Sequence, residues 1–278
     1  LVDAGADANK QSNSGSTALM DAAEHGGEHG AAMMRLLLDA GADANRQDED
    51  RCTALMYPAK HGGEHGAAMM RVLVDAGAVA NKQKKNGQTA LMMAARYGGE
   101  HGAGMMRLLV DAGADANKQD SLGTTALMVA VQQSVAPRAT NGCTIASETL
   151  RALIAAGSDP DATDNHGNTA LHLAALRNVS TDIVRELLDA GAALFAANND
   201  GKTPADLFGY FFTLRHSPFH CRIFWSLAFL VATVVSGLLW QRLGYFIRWV
   251  RLSTPSGWSV ATRRRQQLAL HARLHRQQ

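Results

Sequence analysis

Asp3-Ala-Gly-Ala-Asp-Ala-Asn9 recurs as Asp39–Asn45, as Asp75–Asn81 with Val79 for the second Asp, and as Asp111–Asn117. Looser copies stand at Ala155–Asp161 and Asp189–Phe195, and the copy-to-copy spacings are 36, 36, 36, 44 and 34 residues. A second mark keeps the same phase. Thr17, Thr53, Thr89 and Thr125 each open Thr-Ala-Leu-Met, Thr169 opens Thr-Ala-Leu-His, and Thr203 opens Thr-Pro-Ala-Asp. Two marks in one fixed phase define a repeat array.

Each unit reads as two helices. Thr17, Thr53, Thr89, Thr125 and Thr169 are N-cap residues, able to accept a bond from an orphan helix N–H. Each precedes a short Ala/Leu/Met run, then a Gly-rich turn, then a second apolar run such as Ala32–Leu38. Gly5, Gly41, Gly77, Gly113, Gly157 and Gly191 close that second helix, where glycine takes a left-handed backbone cheaply. No unit can bury its apolar face alone, so the units must stack. The expected fold is all-α, a solenoid of helix-turn-helix units.

The unit resembles an ankyrin repeat, a family whose pattern carries Gly-x-Thr-Pro-Leu-His-x-Ala-Ala early and Leu-Leu-x-x-Gly-Ala-Asp late. Asp164–Ala175 followed by Ile183–Ala192 is the nearest copy. The resemblance covers 1–208. It departs from the pattern in having Ala at 18, 54, 90, 126 and 170 for the family Pro, and Met at 20, 56, 92 and 128 for the family His. Losing that His removes a polar side chain able to tie loop to helix. Arg51 replaces the hairpin Gly of the second repeat, and most units exceed the family period of about 33 residues. The resemblance implies a protein-protein interaction module that binds an unidentified protein partner through hairpin tips and concave face. Mapped here, the tips are Gln11–Ser14, Gln47–Asp50, Gln83–Asn86, Gln119–Leu122 and Asp164–His166. Their contact residues are Ser12, Asn13, Asp48, Glu49, Asp50, Lys84, Lys85, Asp120, Ser121, Asn165 and His166. The tips vary most between otherwise similar copies: Asp48-Glu49-Asp50 is acidic and Lys84-Lys85 basic.

Along the array, 1–11 is the end of a truncated repeat, so the chain reads as a fragment; 12–47, 48–83 and 84–119 are near-copies. Pro58 sits inside the first helix of the second repeat, which is expected to be short or kinked because proline removes a helix bond. In the fourth repeat Pro, Gly, Asn and Thr at about 134–145 predict a loop insertion, with the second helix resuming near Ile145. The fifth unit spans 164–198. The last, 199–208, begins like a repeat and does not complete its second helix.

Apolar residues make up 46% of the 278 and aromatics 6%, so the core must be built from Leu, Met, Ala and Val. The net charge of +2 hides an asymmetry: every Asp and Glu precedes residue 209, and ten Arg follow it. Three scattered cysteines, Cys52, Cys143 and Cys221, argue against a disulfide framework and for a reducing compartment. After a linker at 209–222, the stretch 223–240 is 18 residues without charge. As a helix it spans about 27 Å, close to the hydrocarbon thickness of a bilayer. Trp225 and Trp240 stand near its ends and Arg222 and Arg242 flank it, as membrane boundaries favour. A single-pass membrane protein is expected, its repeats cytosolic, although the Arg residues of the basic tail at 241–278 favour the opposite orientation by the positive-inside rule. That Arg-rich tail suits contact with anionic lipid; the plainer alternative is a solvated tail.

His25-Gly-Gly-Glu28-His29 and His61-Gly-Gly-Glu64-His65 match a zinc-peptidase pattern, but paired glycines disfavour the regular helix that chemistry needs, and Tyr97 replaces the first His in the third copy. These are read as polar turns whose Glu28, Glu64 and Glu100 favour the start of the second helix. The Met pairs 33–34, 69–70 and 105–106 are read as core. No phosphate loop or nucleophilic triad stands out. The chain is expected to be no enzyme, with no metal, no cofactor and no specific nucleic acid. Two alternatives stay open: the regulatory ankyrin arm of a larger membrane enzyme or channel, and a soluble scaffold whose apolar stretch caps the array.

Overall fold

Four of the five Thr-Ala-Leu marks start helices. The computed structural model describes residues 6–61, 63–134 and 140–208, without the side chains of 140–146. In four repeats a threonine stands just before the first helix and its Oγ1 accepts an N–H three residues on, at 3.3 to 3.4 Å: Thr17 before α1 (Ala18–His25), Thr89 before α5 (Ala90–Tyr97), Thr125 before α7 (Ala126–Gln133) and Thr169 before α9 (Ala170–Arg177). The second helices are α2 (Gly30–Asp39), α4 (Gly63–Asp75), α6 (Gly102–Asp111), α8 (Thr140–Ala155) and α10 (Thr181–Asp189).

The second repeat corrects one expectation. Its first helix, α3 (Met56–His61), begins three residues after Thr53, so Thr53 is not the residue at its threshold. Pro58 is the cause. It occupies the position of Ala22 in α1, has no N–H to give the carbonyl of Ala54, and its ring crowds that carbonyl, so a regular helix running from Ala54 is disfavoured. The backbone N–H of Met56 bonds instead to the Thr53 carbonyl, at 3.0 Å. A second correction falls in the fourth repeat, where α8 begins at Thr140, five residues before the expected Ile145. Its C-terminal half is anchored by the buried Leu150 and Leu153, and lengthening a helix already nucleated costs little even through weak helix formers. The rest of that insertion, 135–139, lies outside the described residues.

Every second helix ends alike. Gly41, Gly77, Gly113, Gly157 and Gly191 have φ between +79° and +93°, and the N–H groups of each glycine and its successor turn back onto helix carbonyls, as in Gly41 to Leu38 at 2.9 Å and Ala42 to Leu37 at 3.0 Å. This is the Schellman closure expected where a helix must stop sharply. The turn between the paired helices is tighter still. A Cβ on Gly26 would overlap the Cα of Gly30 and the carbonyl of Ala22, and Gly98 is held in the same way against Gly102 and Ala94.

Helices α1, α3, α5, α7 and α9 pack side by side in chain order, α2, α4, α6, α8 and α10 do likewise, and each first helix packs on the second helix of its own repeat. The core between the two layers is Leu19, Met20 and Met34, then Leu55, Met70 and Leu73, then Leu91, Met106 and Leu109, continuing to Leu171 and Leu187. No Phe, Tyr or Trp side chain is fully buried among the described residues.

Five of the six paired methionines are buried, as expected; Met33 is 41% exposed. The reason is positional. Met69 and Met105 place their sulfurs against Gly30 and Gly66 of the preceding second helix, and Met33 has no such helix before it among the described residues. The described structure contains no strand, and no helix in it is long and apolar enough to cross a membrane. The candidate span 223–240, the linker 209–222, the tail 241–278, Cys221 and Gly5 lie outside the described residues, as does the side chain of Cys143.

Candidate protein-interaction face

Between repeats the chain forms a hairpin whose turn carries a left-handed residue: Gly15, Arg51, Gly87, Gly123, Gly167 and Gly201. Side chains at the first turn position hold the hairpins from within. Asp48 Oδ1 accepts the Cys52 N–H at 2.7 Å, Asp120 Oδ1 those of Leu122 and Thr124 at 2.9 Å, and Asp164 Oδ1 those of His166 and Asn168 at 2.9 and 2.8 Å. Ser12 does the same more weakly for Ser16, at 3.2 Å. Such residues favour turns because their short side chains mimic a backbone acceptor.

The tips are stitched to one another. The N–H groups of Glu49, Lys85, Ser121, Asn165 and Asn199 donate to the carbonyls of Ser14, Asp50, Asn86, Leu122 and His166, at 2.9 to 3.1 Å. A glutamine column runs beneath: Gln11 Nε2 reaches the carbonyls of Gly15 and Gln47, Gln47 those of Arg51 and Gln83, and Gln83 those of Gly87 and Gln119. It ends when Gln119 meets the carbonyl of Thr163, at 3.0 Å. Beyond that point His172 takes over. Its Nδ1 accepts the Thr169 N–H at 3.1 Å, and its Nε2 lies 3.0 Å from the Lys202 carbonyl in the next hairpin. The family His thus ties loop to helix in the fifth repeat, where the glutamine is missing.

Of the residues expected at the tips, Ser12, Asn13, Glu49, Asp50, Lys85, Ser121, Asn165 and His166 are exposed. Lys85 Nζ lies 3.7 Å from Asp50 Oδ1, so these two opposed charges of adjacent tips face each other. Lys84 is half-buried. Ser12, Asp48 and Asp120 spend side-chain oxygens on their own turns, and Asn165 Nδ2 donates to the Ser121 carbonyl at 3.1 Å.

The hairpins also touch the first helices. Ser16 Oγ donates to Asp21 Oδ1 at 2.7 Å, and the Tyr57 hydroxyl to Asp48 Oδ2 at 2.8 Å. Burial pushes the Tyr57 phenol above its ordinary pKa, with the bond to Asp48 adding to it, and burial likewise raises the Cys52 thiol. Residues three and four further along a helix share a face. The face beside the tips therefore comprises residues 21, 24 and 25 of α1 and their equivalents 57, 60 and 61, 93, 96 and 97, 129, 132 and 133, and 173, 176 and 177. These helix positions escaped the sequence reading. Their signal is present, since they are where the otherwise near-identical first helices differ. The first His-Gly-Gly-Glu-His stretch lies in the turn after α1, but the second does not form the expected turn: His61 ends α3 and Gly63, Glu64 and His65 already belong to α4. No group of three His, Cys, Asp or Glu able to hold a metal occurs among the described residues.

A stack of paired helices with constant interior, variable tips and a variable flanking face defines the class of helical-repeat interaction proteins. Models of ankyrin repeats match 1–81 and 64–137 as three-copy arrays and 153–208 as a further array. The chain belongs to the ankyrin-repeat family, whose repeats serve protein-protein interaction rather than catalysis. No curated protein matches it.

Proposed function

We propose that this array is an adaptor that binds a protein partner across its hairpin tips and first-helix faces while 223–240 tethers it to a membrane. The observation that carries the reading is the contrast between frame and tip. One ladder of backbone bonds fixes every tip, yet Asn13, Glu49, Lys85, Ser121 and Asn165 at one equivalent position differ in charge. A rigid frame with variable rim chemistry is what specificity by charge complementarity requires.

The test is to exchange Asp50 and Lys85 (D50K/K85D). The mutual ion pair survives the exchange, so stability should hold while the charge pattern seen by a partner inverts. A partner crosslinked through photoreactive residues at Asn13 and His166 should bind the exchanged protein about threefold or more weakly; unchanged affinity counts against the face. For the tether, the chain should resist carbonate extraction from membranes and lose that resistance when 223–240 is deleted. Release of the intact chain would favour the scaffold with an apolar cap. Repeats on the cytosolic side should be digested by protease added outside sealed vesicles from the cytosolic face.

A further inference from the structure

We infer that the partner docks through an acidic, aliphatic-rich segment laid across α5, α7 and α9; this rests on the interaction reading above and narrows it. In the first two repeats the face beside the tips is occupied by its own bonds: Asp21 takes the Ser16 hydroxyl, Tyr57 gives its hydroxyl to Asp48, and His61 Nε2 lies 3.7 Å from Glu24 Oε1. The next three repeats differ. Their face is Met93, Arg96 and Tyr97, then Val129, Gln132 and Gln133, then Leu173, Leu176 and Arg177, without a carboxylate. Met93, Val129 and Leu173 are buried and form an apolar floor. Tyr97 is 51% exposed, Leu176 44%, and Leu122 on the neighbouring tip 65%. Neither Arg96 nor Arg177 has an ion pair among the described residues.

The carboxylates of the adjoining hairpins and turn make other contacts. Asp120 and Asp164 each direct Oδ1 to two N–H groups of their own hairpins, and Glu100 lies 3.4 Å from His101 in the turn beyond α5. Asp200 stands exposed on the last tip. Exposed apolar side chains beside unpaired arginines fit a ligand that carries both aliphatic groups and carboxylates. A basic segment would meet like charge, and an uncharged one would leave Arg96 and Arg177 unmatched under reduced solvation. Three helices packed side by side span roughly 20 Å between outer axes, the reach of about six extended residues.

The probe is a random peptide library of about 16 residues, long enough to cross that span, displayed on phage and selected on the immobilised full chain. Enriched peptides are then synthesised and titrated by fluorescence anisotropy against the native chain, R96E, R177E, L176D and D50K/K85D, each checked for native helicity. Sequences rich in Asp and Glu among Leu, Ile and Phe are expected. R96E and L176D should each weaken them about tenfold, against about threefold for the tip exchange. A basic or uncharged consensus, or binding that responds to D50K/K85D and not to R96E or L176D, overturns this inference and leaves the broader interaction reading standing. Binding indifferent to all four variants, or no saturable peptide at all, overturns both.

Discussion

The Nδ2 of Asn81 donates to the carbonyl oxygen of Gly113, 32 residues later, at 2.8 Å, while its Oδ1 accepts the N–H of Asp115 at 2.7 Å. One side-chain amide thus fastens the end of one repeat to the helix stop of the next. Asn9, Asn45 and Asn117 do the same to Gly41 and Asp43, Gly77 and Val79, and Gly157 and Asp159. Asn81→Ala should cost about 1–2 kcal/mol, since each such bond is worth roughly 0.5–1.5 kcal/mol net. Asn81→Asp keeps the acceptor and should cost about half as much. Hydrogen exchange at the Asp115 amide, which should quicken in the alanine variant, reads the loss locally.

The end of the fourth repeat breaks this column. Asp161 Oδ1 accepts the Ala193 N–H at 2.7 Å but has no donor for the Gly191 carbonyl. Asp161→Asn supplies one and should raise the stability of the last repeats by about 0.5–1 kcal/mol. Denaturant unfolding followed by exchange at Ala193 checks it; no gain in protection there would refute the account.

Arg51 holds φ +61° at a hairpin position that is glycine in the other repeats. A non-glycine residue in that region costs about 1–2 kcal/mol. Arg51→Gly should therefore raise the melting temperature, with a gain of up to about 1 kcal/mol after the extra freedom of glycine in the unfolded chain is counted. The Lys85 to Asp50 backbone bond should persist.

Gly98 and Gly104 predict opposite outcomes for the same change. A Cβ on Gly98 would overlap Gly102 and the Ala94 carbonyl, whereas one on Gly104 in α6 meets nothing within 4 Å. Gly104→Ala should stabilise by about 0.5–1 kcal/mol through helix propensity, and Gly98→Ala should destabilise by about 2 kcal/mol or more through forced separation of the paired helices. Thermal melts of the two variants side by side decide the point.

The Tyr57 phenol has a raised pKa because it is partly buried and bonded to Asp48. The folded chain therefore holds this proton more tightly than the unfolded one. The stabilisation is complete below the ordinary tyrosine pKa of about 10 and is lost as pH rises beyond it. Alkaline unfolding curves should show a loss of stability above pH ~10 that is smaller in Tyr57→Phe. An ultraviolet titration should find one tyrosine fewer ionising in the ordinary range in the native protein than in the same chain unfolded.

Much of the fold was legible because each unit is written nearly the same way. Thr17, Thr89, Thr125 and Thr169 cap where their sequence contexts place them, and Gly41 and its counterparts stop the second helices. These are local effects, decided by a few neighbouring residues. Thr53 failed because Pro58, five residues on, lacks the N–H that the Ala54 carbonyl would need in a helix beginning there and crowds that carbonyl. Met33 failed because its burial depends on a neighbouring second helix that no residue near it specifies. The glutamine column from Gln11 to Gln119 was visible as a 36-residue recurrence, but nothing in the recurrence says what the amide touches.

The same division holds for the candidate site. The residues of the tips could be named from the hairpin pattern, yet Ser12, Asp48 and Asp120 proved to serve their own turns, and only the folded hairpin could show which carboxylate oxygens remain outward. The sequence by itself determined helix, turn and helix, their period, and the identity of the buried Leu, Met and Ala, because propensity, capping and hydrophobic spacing act within one unit. The tertiary structure decided which side chains of different units meet: Asn81 with Gly113, Asp50 with Lys85, His172 with Lys202, and the unpaired arginines of α5 and α9. Such contacts join atoms thirty or more residues apart, and their geometry is fixed only when the units stack.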